Sequence, residues 1–408
     1  MITHFTNSIT RKGFRFIKRI YQRYIHTRES LLAKKHPYIS LISYLTHSPK
    51  RGDIINVEIE NLVYTTTNDS TVSDNSALLP AGQIVTKIVL LKDVTCFAYS
   101  DAILLPSGAV NYEMKESDWM KTAGVFKDDT LLKDSNHWCK LFKNRNEVLL
   151  PNGIKIGGMF GFNYYHFIFQ LLPKLFLTKN IDQSIPLLLD RSAQDIASMK
   201  QLIEWCNFQG RKVFYMDYDT AYKIKELYII TTPNTCVPNI KQHFIPSPFI
   251  AAYSPKCIKS LRDNLLPHSV LPHTGKRIFI CRGRNSSRRR YNEDECFGAI
   301  KVLGFEKVDP QEMTMAEQIG LFSQAEIIIA ASGAALSNLL FISPNCKVII
   351  LSSTPLLNNL WSTLIVFASA QGYFISDTTK DETNLNIQQN FKIEPEALYQ
   401  VTKPLCKK

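Results

Sequence analysis

Two loops in the second half of the chain carry residues that suit a ligand with phosphate groups. The loop Arg282–Arg290 contains five arginines, and a guanidinium can hold a diphosphate through two parallel hydrogen bonds. The loop Ala331–Ala335 is made of small residues and separates a predicted strand from a predicted helix. Unpaired N–H groups at a helix N-terminus attract phosphate oxygens, and small side chains let the phosphate approach. Ser332, Gly333 and Ala334 are therefore candidate phosphate contacts.

Other interpretations of these loops stay open from the residues alone. The arginine loop could be a solvated basic loop, or it could bind RNA, although it lacks interleaved aromatic residues before Tyr291. The small loop could be a tight turn that needs small residues only for packing. The presence of both loops in one α/β unit favours phosphate binding, and no nucleic-acid partner is expected.

A histidine in the middle of the chain is a candidate general base. His166 follows a glycine-rich stretch and opens a predicted helix, and an imidazole can remove a proton from a hydroxyl near neutral pH. A structural role is the alternative for this histidine, and a helix-cap role alone is the alternative for Asn163.

A short D-x-D pattern, Asp217-Tyr218-Asp219, could hold a divalent metal against a diphosphate. Aspartate is common in loops after strands, so an incidental match is the alternative. No histidine or cysteine group has the spacing of a zinc site, and no bound metal is expected.

The elements around the two loops alternate between strand and helix, which predicts a parallel sheet with helices on both faces. Ligands of such sheets bind at the carboxyl ends of the strands, where both loops lie. Asn292 with Glu295, and Thr314 with Glu317, have capping-box spacing and predict two helix starts. The predicted strands are Ile278–Cys281, Glu306–Val308, Glu326–Ala330 and Lys347–Leu351.

The rest of the chain divides by composition. Short strand-like runs over residues 50–150 predict a β-rich N-terminal layer, and a second α/β unit follows to about Leu265. The predicted division is a basic segment at 1–48, an acceptor-side domain at 49–270, a C-terminal Rossmann-like domain at 271–375 and a tail at 376–408.

The composition predicts a globular protein with anionic partners. The chain has 408 residues, 45% of them hydrophobic, and a formal net charge of +12. Nine dispersed cysteines fit a reducing compartment, and we expect a cytoplasmic protein because neither a membrane span nor a signal peptide is predicted. Residues 11–26 form a basic amphipathic pattern that could lie on an anionic membrane surface or pack on the protein's own core.

Three segments taken together resemble glycosyltransferase family 61, which includes capsular-polysaccharide, O-GlcNAc and xylosyl transferases. They are NYYHFIFQLLPKL at Asn163–Leu175, IFICRGRNSSRRRYNEDE at Ile278–Glu295, and the segment Met315–Leu351 with its ASGAALSNLLF run. Their order and spacing agree with the family over roughly Gly153 to Leu351.

The resemblance implies a GT-B-like architecture, with two Rossmann-like domains facing a cleft. It implies inverting transfer from a nucleotide-sugar donor to a glycan or lipid-linked acceptor in surface polysaccharide biosynthesis, with no cofactor or essential metal. By position it gives His166 a catalytic or acceptor-binding role and places Asn163 and Tyr164 on the acceptor side. It also assigns donor-diphosphate binding to four further residues, Arg282, Arg288, Arg289 and Asn292.

Three departures from the family pattern bear on activity. Ser332 stands where the family has a histidine, and Ala335 stands where it has a glycine. Gln170 stands where the first motif has an acidic residue, so His166 lacks a carboxylate partner there. A catalytically inactive relative that binds a sugar nucleotide or glycan as a scaffold is the alternative function.

Overall fold

A computed structural model describes residues 33–65, 71–72, 78–112, 128, 130–135, 137–144, 146–236, 251–270, 276–282, 289–353, 358–377 and 389–406. The basic pattern at residues 11–26 and Arg288 lie outside these residues. Within them the fold is mixed α/β, as predicted.

The described strands, in chain order, are β1 Lys35–Pro37, β2 Gly52–Tyr64, β3 Thr71–Val72, β4 Leu79–Phe97, β5 Ala102–Leu104, β6 Val110–Tyr112, β7 Leu131–Asp134, β8 Trp138–Leu141, β9 Asn146–Lys155, β10 Leu187–Asp190, β11 Val213–Met216, β12 Thr220–Ile230, β13 Thr235–Cys236, β14 Ala251–Ala252, β15 Arg277–Ile280, β16 Glu306–Val308, β17 Ile327–Ala331, β18 Lys347–Ser352 and β19 Gln371–Ser376.

The described α-helices are α1 Leu41–His47, α2 Tyr164–His166, α3 Ser192–Asp195, α4 Ala197–Cys206, α5 Pro255–Leu265, α6 Glu293–Lys301, α7 Met315–Gln324, α8 Asn358–Phe367 and α9 Pro395–Leu405. α2 continues as a π-helical turn, Phe167–Leu171, and then as a 3-10 helix, Leu172–Asn180. Further 3-10 turns are Pro49–Arg51, Leu266–His268, Pro310–Glu312 and Ala334–Phe341.

Most strands of the first half form a mixed sheet with the order β11-β10-β9-β12-β4-β5-β6, and β2 also pairs with β4. Separate antiparallel sheets are formed by β1, β8 and β7 and by β13 and β14. Strands β9 to β12 are parallel to one another, whereas β4 runs antiparallel to β12, β2 and β5. Strands β2, β4, β5 and β6 of the predicted β-rich layer therefore belong to the same sheet as the first α/β unit, whereas β7 and β8 do not. One strand of this sheet, β4, is long and passes through Asp93, which adopts the left-handed region (φ 56°).

The second half forms a sheet in the order β16-β15-β17-β18-β19-β3. Its five C-terminal strands are parallel, which confirms the predicted parallel sheet. Along the chain their order is 2-1-3-4-5, so the direction of winding reverses between β15 and β17. A crevice for a ligand opens at such a switch point, outside the carboxyl ends of these two strands.

The two halves of the chain are packed against each other. A single cluster of buried apolar residues includes Ile154 and Phe169 from the first half and Ile328 and Trp361 from the second. The short strand β3, from the first half, adds an antiparallel edge to the second sheet through its pairing with β19.

Arg211 stabilises the segment that follows the 3-10 helix Leu172–Asn180. Its side chain is 3% exposed, and its guanidinium donates to four backbone carbonyls. These belong to Thr178 (3.0 Å), Ile181 (2.5 Å), Asp182 and Ile185 (3.1 Å).

We expect Arg211→Met to lower the free energy of unfolding by about 3 kcal/mol, because it leaves several buried carbonyls without a donor. Urea denaturation followed by circular dichroism measures this change. Lys212→Met, at the exposed neighbouring position, is the matched control and should change stability by less than about 0.5 kcal/mol. Equal unfolding midpoints for the two variants would contradict this role.

Candidate functional site

The small loop after β17 presents backbone N–H groups rather than a hydroxyl. The Ser332 side chain is 2% exposed, and its Oγ accepts a hydrogen bond from Trp361 Nε1 at 2.9 Å. The first bond of the following 3-10 helix runs from Leu336 N–H to the Gly333 carbonyl at 2.9 Å. The N–H groups of Gly333, Ala334 and Ala335 therefore precede the hydrogen-bond ladder of the helix, where an anion can accept from them.

Two predicted arginines meet at this loop. Arg282 follows β15, and its Nη1 donates to the Ser332 carbonyl at 2.7 Å. Arg289 Nη1 donates to the same carbonyl at 3.3 Å. A Cβ on Gly333 would lie 3.1 Å from Arg282 Nη1, so the absence of a side chain at Gly333 leaves space for the guanidinium. The carboxyl ends of β15 and β17 thus meet at the switch point of the sheet.

The backbone of Arg282 is hydrogen-bonded, and its side chain is partly buried. Its N–H donates to Glu293 Oε2 at 2.9 Å, and its buried Nε has no hydrogen-bond partner among the residues that the structure describes. Burial lowers the pKa of this guanidinium, although arginine keeps its charge in proteins. An anion that accepted a hydrogen bond from this Nε–H group would stabilise the guanidinium.

Asn292, predicted to bind the diphosphate and to cap a helix, is used elsewhere. Its Nδ2 donates to the Ile393 carbonyl at 2.9 Å, and its Oδ1 accepts from Ile393 N–H at 2.9 Å. The predicted capping box was wrong here, because the side chain makes no cap bond to the helix. By contrast, the capping box of Thr314 and Glu317 is confirmed. The diphosphate roles of Asn292 and of Arg288 stay predictions.

His166 lies on the other half of the site, in the helix that Asn163 begins. Asn163 Oδ1 accepts from Tyr165 N–H at 3.0 Å, so this side chain caps the helix. The His166 ring is 8% exposed, stacks on Phe160 with 4.9 Å between ring centroids, and places Nδ1 2.5 Å from Gln170 Oε1. Burial lowers the pKa of His166, which favours the neutral imidazole that a base requires.

Direct contacts bring the two halves of the site together. The Tyr164 hydroxyl donates to Asn338 Oδ1 at 2.6 Å, and the Tyr165 ring meets Trp361 edge to face at 5.5 Å. Trp361 in turn donates a hydrogen bond to Ser332 Oγ. The hydroxyl of Tyr164, predicted to lie on the acceptor side, is thus bound to the other half of the site, and its acceptor role stays a prediction.

Part of the chain matches a known protein family. Residues 164–349 match the family model described as Glycosyltransferase 61, a range that contains His166, Arg282 and Ser332. This segment is similar to glycosyltransferase family 61. The chain matches no curated protein. No helix in the described part of the chain has the length and apolar character to cross a membrane.

The glycine-rich loop that leads into the family 61 segment is folded around a buried carboxylate. Asp190 accepts hydrogen bonds from Tyr99 N–H at 2.8 Å and Gly158 N–H at 3.0 Å. Burial raises the pKa of Asp190 to about 6, and the Lys155 ammonium acts in the opposite direction. A Cβ on Gly157 would lie 2.7 Å from Asp190 Oδ1. Sequence reasoning missed Asp190, whose one signal is its place at the end of the apolar run LLLD.

The first carboxylate of the D-x-D pattern is paired with Arg191, the residue after Asp190. Asp217 accepts from Arg191 Nε at 2.8 Å and from Arg191 Nη2 at 3.0 Å, and Asp219 occupies a turn with φ 65°. Among the described residues, no group of three or more His, Cys, Asp and Glu side chains could hold a metal ion. The independence from metal stays a prediction.

We expect Gly157→Ala to lower the free energy of unfolding by about 1–3 kcal/mol, because the added methyl must displace the buried Asp190 carboxylate. Gly298→Ala is the matched control. Its Cβ would meet open space on the helix α6, so alanine should stabilise the protein by about 0.5–1 kcal/mol. Chemical denaturation of both variants tests the contrast, and equal effects would refute the packing argument.

Proposed function

We propose that the chain is an inverting glycosyltransferase. It would move a sugar from a nucleotide diphosphate donor to a hydroxyl of a glycan or lipid-linked saccharide, as surface polysaccharide biosynthesis requires. The observation that carries the proposal is the hydrogen bond from Arg282 to the Ser332 carbonyl, since it places a cation beside free N–H groups at the switch point of a parallel sheet.

In this proposal the diphosphate accepts hydrogen bonds from the N–H groups of Gly333 and Ala334. Arg282 and Arg289 lie beside it and stabilise the negative charge that develops on the leaving diphosphate. His166 takes the proton of the acceptor hydroxyl through Nε2, because its Nδ1 is occupied by Gln170. The chain's basic charge fits an anionic donor.

The proposal includes a GT-B-like arrangement, in which the acceptor is bound by residues 49–270 and the donor by residues 271–375. The separate sheets of the two halves support it, as does the position of His166 and Arg282 on different halves. We also propose a cytoplasmic location, with contact to an anionic membrane through residues 11–26, and transfer without an essential metal.

A second candidate is a scaffold that binds sugar nucleotides without turnover. Gln170 supplies no carboxylate to His166, and the Ser332 hydroxyl is bound to Trp361. Turnover of a nucleotide sugar with any acceptor excludes this candidate.

A thermal-shift panel of nucleoside diphosphates and nucleotide sugars, with and without EDTA, tests the proposal. A ligand that binds only the folded protein raises the melting temperature. We expect a shift with one nucleotide class, unchanged by EDTA, and its loss in Arg282→Lys, which keeps a charge but cannot form the paired hydrogen bonds. Arg191→Lys, at the partly exposed partner of Asp217, is the control and should keep the shift. An undiminished shift in Arg282→Lys would contradict the donor site.

A further inference from the structure

The carboxylate of Asp101 lies against the loop that leads to His166. Asp101 precedes β5, and its Oδ2 accepts from Met159 N–H at 3.4 Å. A Cβ on Gly158 would overlap Asp101 Oδ1, so the carboxylate packs directly on the backbone of this loop. A carboxylate from a distant part of the sequence thus supports two consecutive residues of the loop.

The next residue of the loop carries the contact to the imidazole. Phe160 adopts the left-handed region with φ 62°, and its ring stacks on His166 at an interplanar angle of 28°. A non-glycine residue in this region is costly unless its surroundings hold it there. The contacts of Asp101 with the preceding residue Met159 are part of that support.

Asp101 also brings negative charge to this side of the site. Burial lowers the pKa of His166, and the hydrogen bond with Gln170 and, to a smaller extent, the charge of Asp101 raise it. The other neighbours of the imidazole, Phe160, Tyr165 and Gln170, are aromatic or neutral. Two ammonium groups, Lys155 and Lys174, line the same small cavity as Asp101, and the Lys155 ammonium is bonded to the Ser100 and Gly157 carbonyls.

We propose that Asp101 is a positioning residue for His166: it fixes the loop that orients the imidazole and supplies the negative charge that Gln170 does not. The inference rests on the proposed function for its catalytic meaning. When His166 accepts a proton from the acceptor hydroxyl, the imidazolium gains from a nearby carboxylate, as it does in other acid–base pairs.

The test is the titration of His166 by NMR in Asp101→Asn, with the resonance assigned through a His166→Gln variant. Asparagine keeps an acceptor for Met159 N–H and removes the charge. We expect the midpoint of His166 to fall, because a contribution that favours the imidazolium is lost, and we expect Asp101→Ser to act in the same direction. Asp93→Asn, at an exposed carboxylate with a left-handed backbone, is the control and should leave the titration unchanged.

Gln170→Glu in the Asp101→Asn background should raise the midpoint again, because it returns a carboxylate to the imidazole. An unchanged His166 midpoint in both folded Asp101 variants would overturn the proposal. The measurement needs neither donor nor acceptor, so it is independent of the thermal-shift panel. A shifted titration with a flat panel would retain the positioning role and reject the transferase.

Discussion

One buried aromatic contact joins the two halves of the candidate site, and the rest of the arrangement depends on it. Tyr165 packs edge to face on Trp361, which is 1% exposed and donates to Ser332. The Tyr165 hydroxyl is paired with that of Tyr253 at 2.7 Å, so the ring is fixed at both ends. A movement of either half would disturb this packing, because buried aromatic side chains fit their neighbours closely. The distance between the imidazole and the loop Ala331–Ala335 is therefore set by packing in the core.

Two charged side chains, Asp190 and Arg282, pack against the loops that this contact joins. On the first half, the Asp190 carboxylate occupies the space that Gly157 and Gly161 leave open, and Lys155 lies close enough to oppose its desolvation. On the second half, Arg282 occupies the space beside Gly333. Gly157 and Gly161 are required by the close approach of the carboxylate, and Gly333 leaves space for the guanidinium. Loops fixed in this way hold hydrogen-bond donors in place before a ligand arrives, which is the condition for electrostatic stabilisation of a transition state.

The sequence predicted what local patterns determine. The parallel sheet and the meeting of the Arg282 and Ser332 loops follow from strand alternation, because the carboxyl ends of parallel strands share an edge. The contacts of Trp361 and Asp190 could not be predicted, because each depends on packing between segments far apart in the chain. Asn292 shows the same limit. Its spacing from Glu295 predicted a capping box, but in the structure its side chain is hydrogen-bonded to the backbone of Ile393 and does not cap the helix.

We propose that a diphosphate binds where β15 and β17 end. A crystal structure of the protein with a nucleoside diphosphate tests it most directly. We predict that phosphate oxygens lie within hydrogen-bond distance of the Gly333 and Ala334 N–H groups, with the Arg282 guanidinium beside them. A diphosphate bound instead through a metal at Asp217 and Asp219, with the Arg282 loop unoccupied, would contradict it.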